Sequence, residues 1–264
     1  MLYIKIMKLK KIFPQWKKWH LAIKIIPILI LIFFVKLIFH HYGFEIISLS
    51  TLFTSLIAAT IFLMGFLMTG VISDYKESEK LPGDMASSLE AIYDEIYILD
   101  RNKSNKTTQD FIVFYKGFIQ SVNEWFYRKE RTKNLLKKLH YMNNYFAEFE
   151  NIIQPNFLAR IKNEQNNLRK IIIRIDAIRD LSFIPSAYTI VEILAFFVII
   201  GLLILKVDPF YESVFFTMLV SFLFIYMIYL IKDLDNPFDY SDHGESGTEI
   251  SIKPIHDLIH KIIL

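Results

Sequence analysis

The chain has 264 residues, of which 53% are hydrophobic and 16% aromatic, with a mean hydropathy of +0.35 and a formal net charge of +3. It has no cysteine, which excludes disulfides, iron–sulfur clusters, thiolate zinc sites and cysteine nucleophiles. The apolar residues gather in a few long blocks, the pattern of a membrane protein rather than of a soluble domain.

Residues 1–20 read as a basic cytoplasmic arm, with Lys5, Lys8, Lys10, Lys11, Lys17 and Lys18 and no acid. No small-x-small cleavage pattern follows Leu21, so this is the flank of an uncleaved span rather than a signal peptide. Such an arm obeys the positive-inside rule and touches anionic lipid.

Four spans are predicted. The first, Leu21 to Phe39, holds Lys24 and Lys36 near its two ends, where each can snorkel to the nearer interface, and Trp16 and Trp19 precede it as aromatic anchors. The second, Ile46 to Ile72, runs 27 residues without a charge. At a rise of about 1.5 Å per residue it over-spans a hydrocarbon core of about 30 Å, so it tilts or projects. The third, Ile184 to Leu205, contains Glu192; the fourth is Val214 to Ile231, with Tyr226 and Tyr229 near its end.

The joins His40 to Glu45 and Lys206 to Tyr211 are too short to hold a domain, and Asp208-Pro209 is a turn signal. Residues 21–72 and 184–231 are therefore two helical hairpins. Between them, residues 73–183 hold 18 Lys/Arg against 16 Asp/Glu, while the outer joins hold almost none of the former. This bias places both termini in the cytoplasm. The fold class expected is all-α, with four transmembrane helices and a cytoplasmic helical bundle.

Within that bundle, Phe111, Phe114, Tyr115, Phe118, Ile119, Val122, Trp125 and Phe126 make one apolar stripe at helical spacing. Thr107 with Asp110 suggests a capping box for this helix. Leu81-Pro82-Gly83-Asp84 suggests a helix break with Asp84 as the next cap, and Pro155 another break before a helix over Phe157 to Leu181. Residues 232–264 read as an acidic loop, an extended piece at Glu249 to Ile252 and an amphipathic helix from Pro254.

No phosphate-binding glycine loop, nucleophile elbow or zincin helix is present, and the spans offer one carboxylate and no cysteine, so no enzyme is expected. No nucleic-acid partner is expected either. His256 and His260 have metal-ligand spacing but lack a third ligand. His40 and His41 sit in the outer join, as interfacial residues or as groups that tune an entrance with pH. Glu192 either pairs with Lys24, which enters the first span from the same side, or lines an ion path. Asp233, Asp235, Asp239, Asp242 and Glu245 are solvated acids or a Ca²⁺ site, although their spacing is not that of an EF-hand.

Two stretches resemble the bestrophin family. Phe62-Leu-Met-Gly65-Phe66-Leu-Met-Thr69-Gly-Val71-Ile-Ser73, followed by Glu79-Lys-Leu81-Pro82, looks like the second bestrophin span and its exit. Lys232-Asp-Leu-Asp235-Asn236-Pro237-Phe238 resembles the Asn-Pro-Phe segment after the fourth. The span order and long insert also agree, most closely with the bacterial branch. The resemblance implies a homo-oligomeric, pentameric ion channel in a bacterial inner membrane, its pore lined by the second span. It implies a narrow neck at Phe62 and Phe66, with Ala58 one turn earlier, and helical geometry puts all three on one stripe; the alternative is that Phe62 and Phe66 pack against the first and third spans. Family members include chloride channels and cation-favouring bacterial relatives, and chloride is the ion favoured here. Two departures weigh against calcium gating and against a close match to the animal channels. Asp74-Tyr75-Lys76 stands where an Arg-Trp-Trp segment is usual, and Asp239 stands where glycine often follows Asn-Pro-Phe.

Overall fold

The computed structural model describes residues 16–180, 185–240 and 248–263. Along the chain lie α1 (Trp16–His41), β1 (Ile47–Ser48), α2 (Thr51–Ser78), α3 (Leu81–Lys103), α4 (Lys106–Phe126) and α5 (Thr132–Phe149). They are followed by α6 (Pro155–Asp180), α7 (Pro185–Ile204), β2 (Leu205–Lys206), α8 (Phe210–Asp235) and α9 (Lys253–Ile262). These elements form two compact units, one built on the apolar helices and one on residues 75–181 with the tail.

Four helices of the first unit are long and apolar enough to cross a membrane: Trp19–His41, the helix beginning at Thr51, Ser186–Ile204 and Phe210–Asp235. In lipid no water is present to satisfy a free peptide group, so a helix, which closes every hydrogen bond within itself, is the form such segments take. Met64, Leu67 and Val71 of α2 pack with Val191, Ala195, Val198 and Leu202 of α7 and with Phe224 and Ile231 of α8. Ile25 and Ile32 of α1 pack with Ile225 of α8. A two-residue parallel ladder joins the hairpins, pairing Ile47 with Leu205 and Ser48 with Lys206.

The second span differs from its predicted limits. Helix α2 begins at Thr51 rather than Ile46, because Ser50 Oγ accepts the Phe53 amide at 3.2 Å and residues 47–48 are drawn into β1. It runs beyond Ile72 to Ser78. Helix α1 ends in a Schellman turn: Gly43, at φ +72°, follows it, with Phe44 N–H on Phe39 O and Gly43 N–H on His40 O. The start predicted for the third span at Ile184 lies outside the described residues, as does the arm before Trp16.

The second unit is a helical bundle. Helix α5 buries Leu135, Leu139, Met142, Phe146 and Phe149, alternating steps of four and three that keep one face inward. Ile161, Leu168, Ile172 and Ile175 of α6 and the predicted aromatic stripe of α4 meet it, Phe114 alone in that stripe staying half-buried. Ile255, Leu258 and Ile262 of α9 and Phe238, Ile250 and Ile252 complete the same core. The predicted extended piece at 249–252 makes no ladder; Ile250 N–H instead bonds Pro237 O at 3.0 Å.

Two predicted caps move. The capping box of α4 is built by Asn105 and Thr108, not by Thr107 and Asp110: Thr108 N–H bonds Asn105 Oδ1 at 2.8 Å and Asn105 N–H bonds Thr108 Oγ1 at 3.1 Å. Asn105, placed before the first helical residue, reaches a free amide that Thr107, already inside the helix, cannot. Helix α3 starts at Leu81 with Pro82 in its first turn, so Asp84 lies within the helix rather than capping it.

Candidate functional site

Helix α2 has two contrasting faces. Met64, Leu67 and Val71 are buried, whereas Phe62 and Phe66 are 72% and 74% exposed. Residues four and seven apart fall on one side of a helix, and Ser55, Ala58, Phe62, Phe66, Thr69 and Ser73 are all exposed along that side. The three residues of the expected neck therefore share an outward face. It sets two neighbouring aromatic rings between hydroxyls and carries no charge from Thr51 to Ser73. Thr69 Oγ1 bonds the Gly65 carbonyl at 2.9 Å, so its polarity is partly satisfied within the helix.

Sequence reasoning missed the most tightly bonded polar group of this unit. Lys36 was expected to snorkel to an interface, yet its side chain is buried, 0% exposed. Its ammonium donates to Leu202 O and Leu203 O at 3.2 Å and to Leu205 O at 2.7 Å, the free carbonyls where α7 ends. It also lies 2.7 Å from Glu45 Oε1, and His40 Nδ1 lies 2.8 Å from Glu45 Oε2. His40 stacks on Phe210 with ring centroids 3.6 Å apart. Burial pushes the Glu45 carboxyl up, but the hydrogen bonds from His40 and Lys36 outweigh it and hold the group below its ordinary value. A helix C-terminus favours a cation, and Lys36 is the cation held there. The sequence signal was Lys36 and His40 four residues apart, with an acid in the join.

Glu192 does not pair with Lys24. Its carboxylate lies 2.5 Å from Lys232 Nζ on α8, while Lys24 Nζ sits over the Tyr229 ring at 5.0 Å. Lys232 follows the apolar stretch of α8 by one residue, so it approaches Glu192 without entering the span; Lys24, on α1, finds an aromatic face first.

Of the acids after the fourth span, Asp233, Asp235 and Asp239 lie among the described residues. Asp233 and Asp235 lie in the last turn of α8, and Asp233 accepts from Thr248 Oγ1 at 2.5 Å. Asp239 pairs with Arg128 at 3.3 Å. Asp242 and Glu245 lie outside the described residues. Among the described residues no three His, Asp or Glu side chains are grouped as metal ligands. His256 stacks against Tyr127.

No family model matches the chain, and no curated protein matches it by sequence. Solved structures do match it. A point variant of a bacterial bestrophin homolog from Klebsiella pneumoniae superposes with a TM-score of 0.73 at 14% identity, over 91% of this chain and 100% of that one. Another crystal structure of that homolog gives 0.67 at 15% identity, over 90% and 95%. A crystal structure described as a membrane protein variant gives 0.73 at 13% identity, over 91% and 97%. Likeness at these identities defines a fold. The chain is an all-α membrane protein with a bestrophin-like fold.

Proposed function

We propose that the chain is the subunit of a homo-oligomeric, pentameric ion channel whose axial pore is lined by the exposed face of α2. The observation that carries this reading is that face itself: Phe62 and Phe66 outward, with Ser55, Thr69 and Ser73 on the same side of a membrane-spanning helix. Brought around an axis, the rings of Phe62 and Phe66, with Ala58 above or below them, form an apolar constriction that gates by losing water. Hydroxyls on either side give a partly dehydrated ion places to rest.

Neither an acid nor a base lies on α2 between Thr51 and Ser73, so no charged ring of that helix selects the ion. The family resembled includes chloride channels, and chloride is the first ion to test. The basic arm at residues 1–20 favours an orientation with both termini in the cytoplasm of a bacterial cell. Glu192, occupied by Lys232, is read as structural rather than as part of the ion path.

Purified protein in planar bilayers under asymmetric KCl tests the proposal. Currents above those of empty bilayers, with a reversal potential near that of chloride, are expected. A reversal potential near that of potassium would replace the anion reading with a cation channel of the same fold. No current under any gradient would leave a non-conducting scaffold whose helical bundle binds a partner.

A further inference from the structure

The turn between α4 and α5 carries a charge imbalance larger than that of the whole chain. Between Arg128 and Lys138 there are six basic residues and one acid, against a net charge of +3 for all 264 residues. Two of the six are engaged. Arg128 pairs with Asp239 at 3.3 Å, and Lys138 pairs with the one acid, Glu130, at 2.7 Å. The other four, Lys129, Arg131, Lys133 and Lys137, are exposed and have no ion-pair partner among the described residues. Lys133 and Lys137, one helical turn apart on α5, edge an open groove of about 760 Å³ whose apolar wall is Leu136 and Tyr141. The acid in that groove, Asp176, is hydrogen-bonded by Thr132.

The turn is held in place. Arg128 N–H bonds Trp125 O and Lys129 N–H bonds Glu124 O, a Schellman ending that puts Arg128, a non-glycine residue, at φ +58°. Arg179, near the end of α6, donates to Trp125 O at 3.3 Å and Phe126 O at 3.1 Å and lies 4.5 Å from the Trp125 ring. Trp125 Nε1 donates to Thr132 Oγ1 at 2.8 Å. The basic turn is thus fastened to the last turn of α6. Helix α6 ends at Asp180, and the apolar α7 begins at Pro185. Four residues of chain therefore separate the helix that fastens the turn from the membrane-crossing α7.

We propose that Lys129, Arg131, Lys133 and Lys137 form a binding surface for the phosphate of anionic lipid headgroups. Unpaired cations beside a segment that enters the membrane meet phosphate diesters at high local concentration. Each basic residue near an anionic leaflet contributes about fivefold in affinity, and the attraction fades within a Debye length of about 10 Å. The inference rests on the membrane-spanning reading of the chain and is independent of conduction.

The test is hydrogen exchange on the full chain in nanodiscs of phosphatidylcholine alone or with phosphatidylglycerol. Slower exchange at the amides of residues 127–136 is expected only with phosphatidylglycerol, weakening as salt is added. Changing Lys129, Arg131, Lys133 and Lys137 to Gln together should abolish the difference, and changing the three lysines to Arg should preserve it. Equal exchange in the two nanodiscs overturns the proposal, as does a phosphatidylglycerol effect that survives the Gln variant. The same protection from inorganic phosphate in phosphatidylcholine discs would make this a soluble-anion site instead. Should the Gln variant fail to fold, the wild-type pair of nanodiscs and the Arg variant still decide: loss of the effect in the Arg variant would mean that lysine shape, not charge, is responsible.

Discussion

Lys36 lies among three carbonyls at the end of α7 and the Glu45 carboxylate, whose other partners are Thr217 on Leu202 O, Ser213 on Leu205 O and His40 on Glu45. Removing the ammonium takes a donor from each carbonyl and leaves the buried Glu45 carboxylate without its lysine counter-charge. Lys36→Met is therefore expected to destabilise the first unit by roughly 3–5 kcal/mol, the cost of breaking a buried charge pair from one side. Thermal unfolding in detergent should register this, and Lys36→Met combined with Glu45→Gln should recover part of the loss. Glu45 also sets a pH dependence. Its carboxyl is held below the ordinary value of 4.5, so the folded state binds this proton less readily than the unfolded one. Its contribution is complete above pH 4.5 and declines as pH falls through the lower folded value. The difference in unfolding temperature between wild type and Glu45→Gln should accordingly shrink below pH 4.5 and stay flat above it. The sequence made the charge of Lys36 visible but not its fate. Leu202 lies 166 residues further along the chain, and no local pattern announces which carbonyls a lysine will find. For Glu192 the local pattern did suggest a partner, and the nearer cation at the helix end, Lys232, displaced Lys24 from that role.

Helices α2 and α7 approach at one point so closely that only glycine fits. A methyl group on Gly201 would overlap Phe53 Cε2, an atom of a ring rather than the end of a flexible chain. Gly201→Ala should cost about 1–3 kcal/mol through overpacking, and Phe53→Leu in the same chain should restore most of it; melting curves of the three variants check this. The long apolar runs and the α4 stripe were readable because each repeats over several turns, which is where helical periodicity is strongest. The ladder of Ile47–Ser48 with Leu205–Lys206 was not readable, since two residues cannot alternate. Helix ends were the weaker part for a related reason. Asn105 and Thr107 both suit a cap, and the choice depends on which residue first adopts helical dihedrals.

On the scale of the whole molecule, the order of spans and insert was legible, because membrane thickness imposes lengths that composition reveals directly. The side of α2 that faces outward was not, since burial of Met64, Leu67 and Val71 depends on α7 and α8, encoded more than a hundred residues later. If Phe62 and Phe66 form the constriction, Phe62→Ala and Phe66→Ala should each raise single-channel conductance severalfold without shifting the unfolding temperature strongly, both rings being exposed in the subunit. Single-channel recording with parallel melting curves distinguishes this from a packing role, in which the melting temperature falls instead. Glu192→Gln should leave conductance unchanged in the same recordings, because its carboxylate is engaged by Lys232.

The ladder between residues 47–48 and 205–206 also sets an order of events during synthesis. A ribosome delivers the first hairpin long before Leu205 exists. During that interval Lys36 has Glu45 alone as a partner, and the edge of β1 has nothing to pair with. Arrival of the third span supplies the carbonyls and the second strand together, so the nascent first half is a waiting intermediate that later sequence locks. Arresting translation just before and just after residue 206 in the presence of a protease should then reveal a step in resistance of the first hairpin.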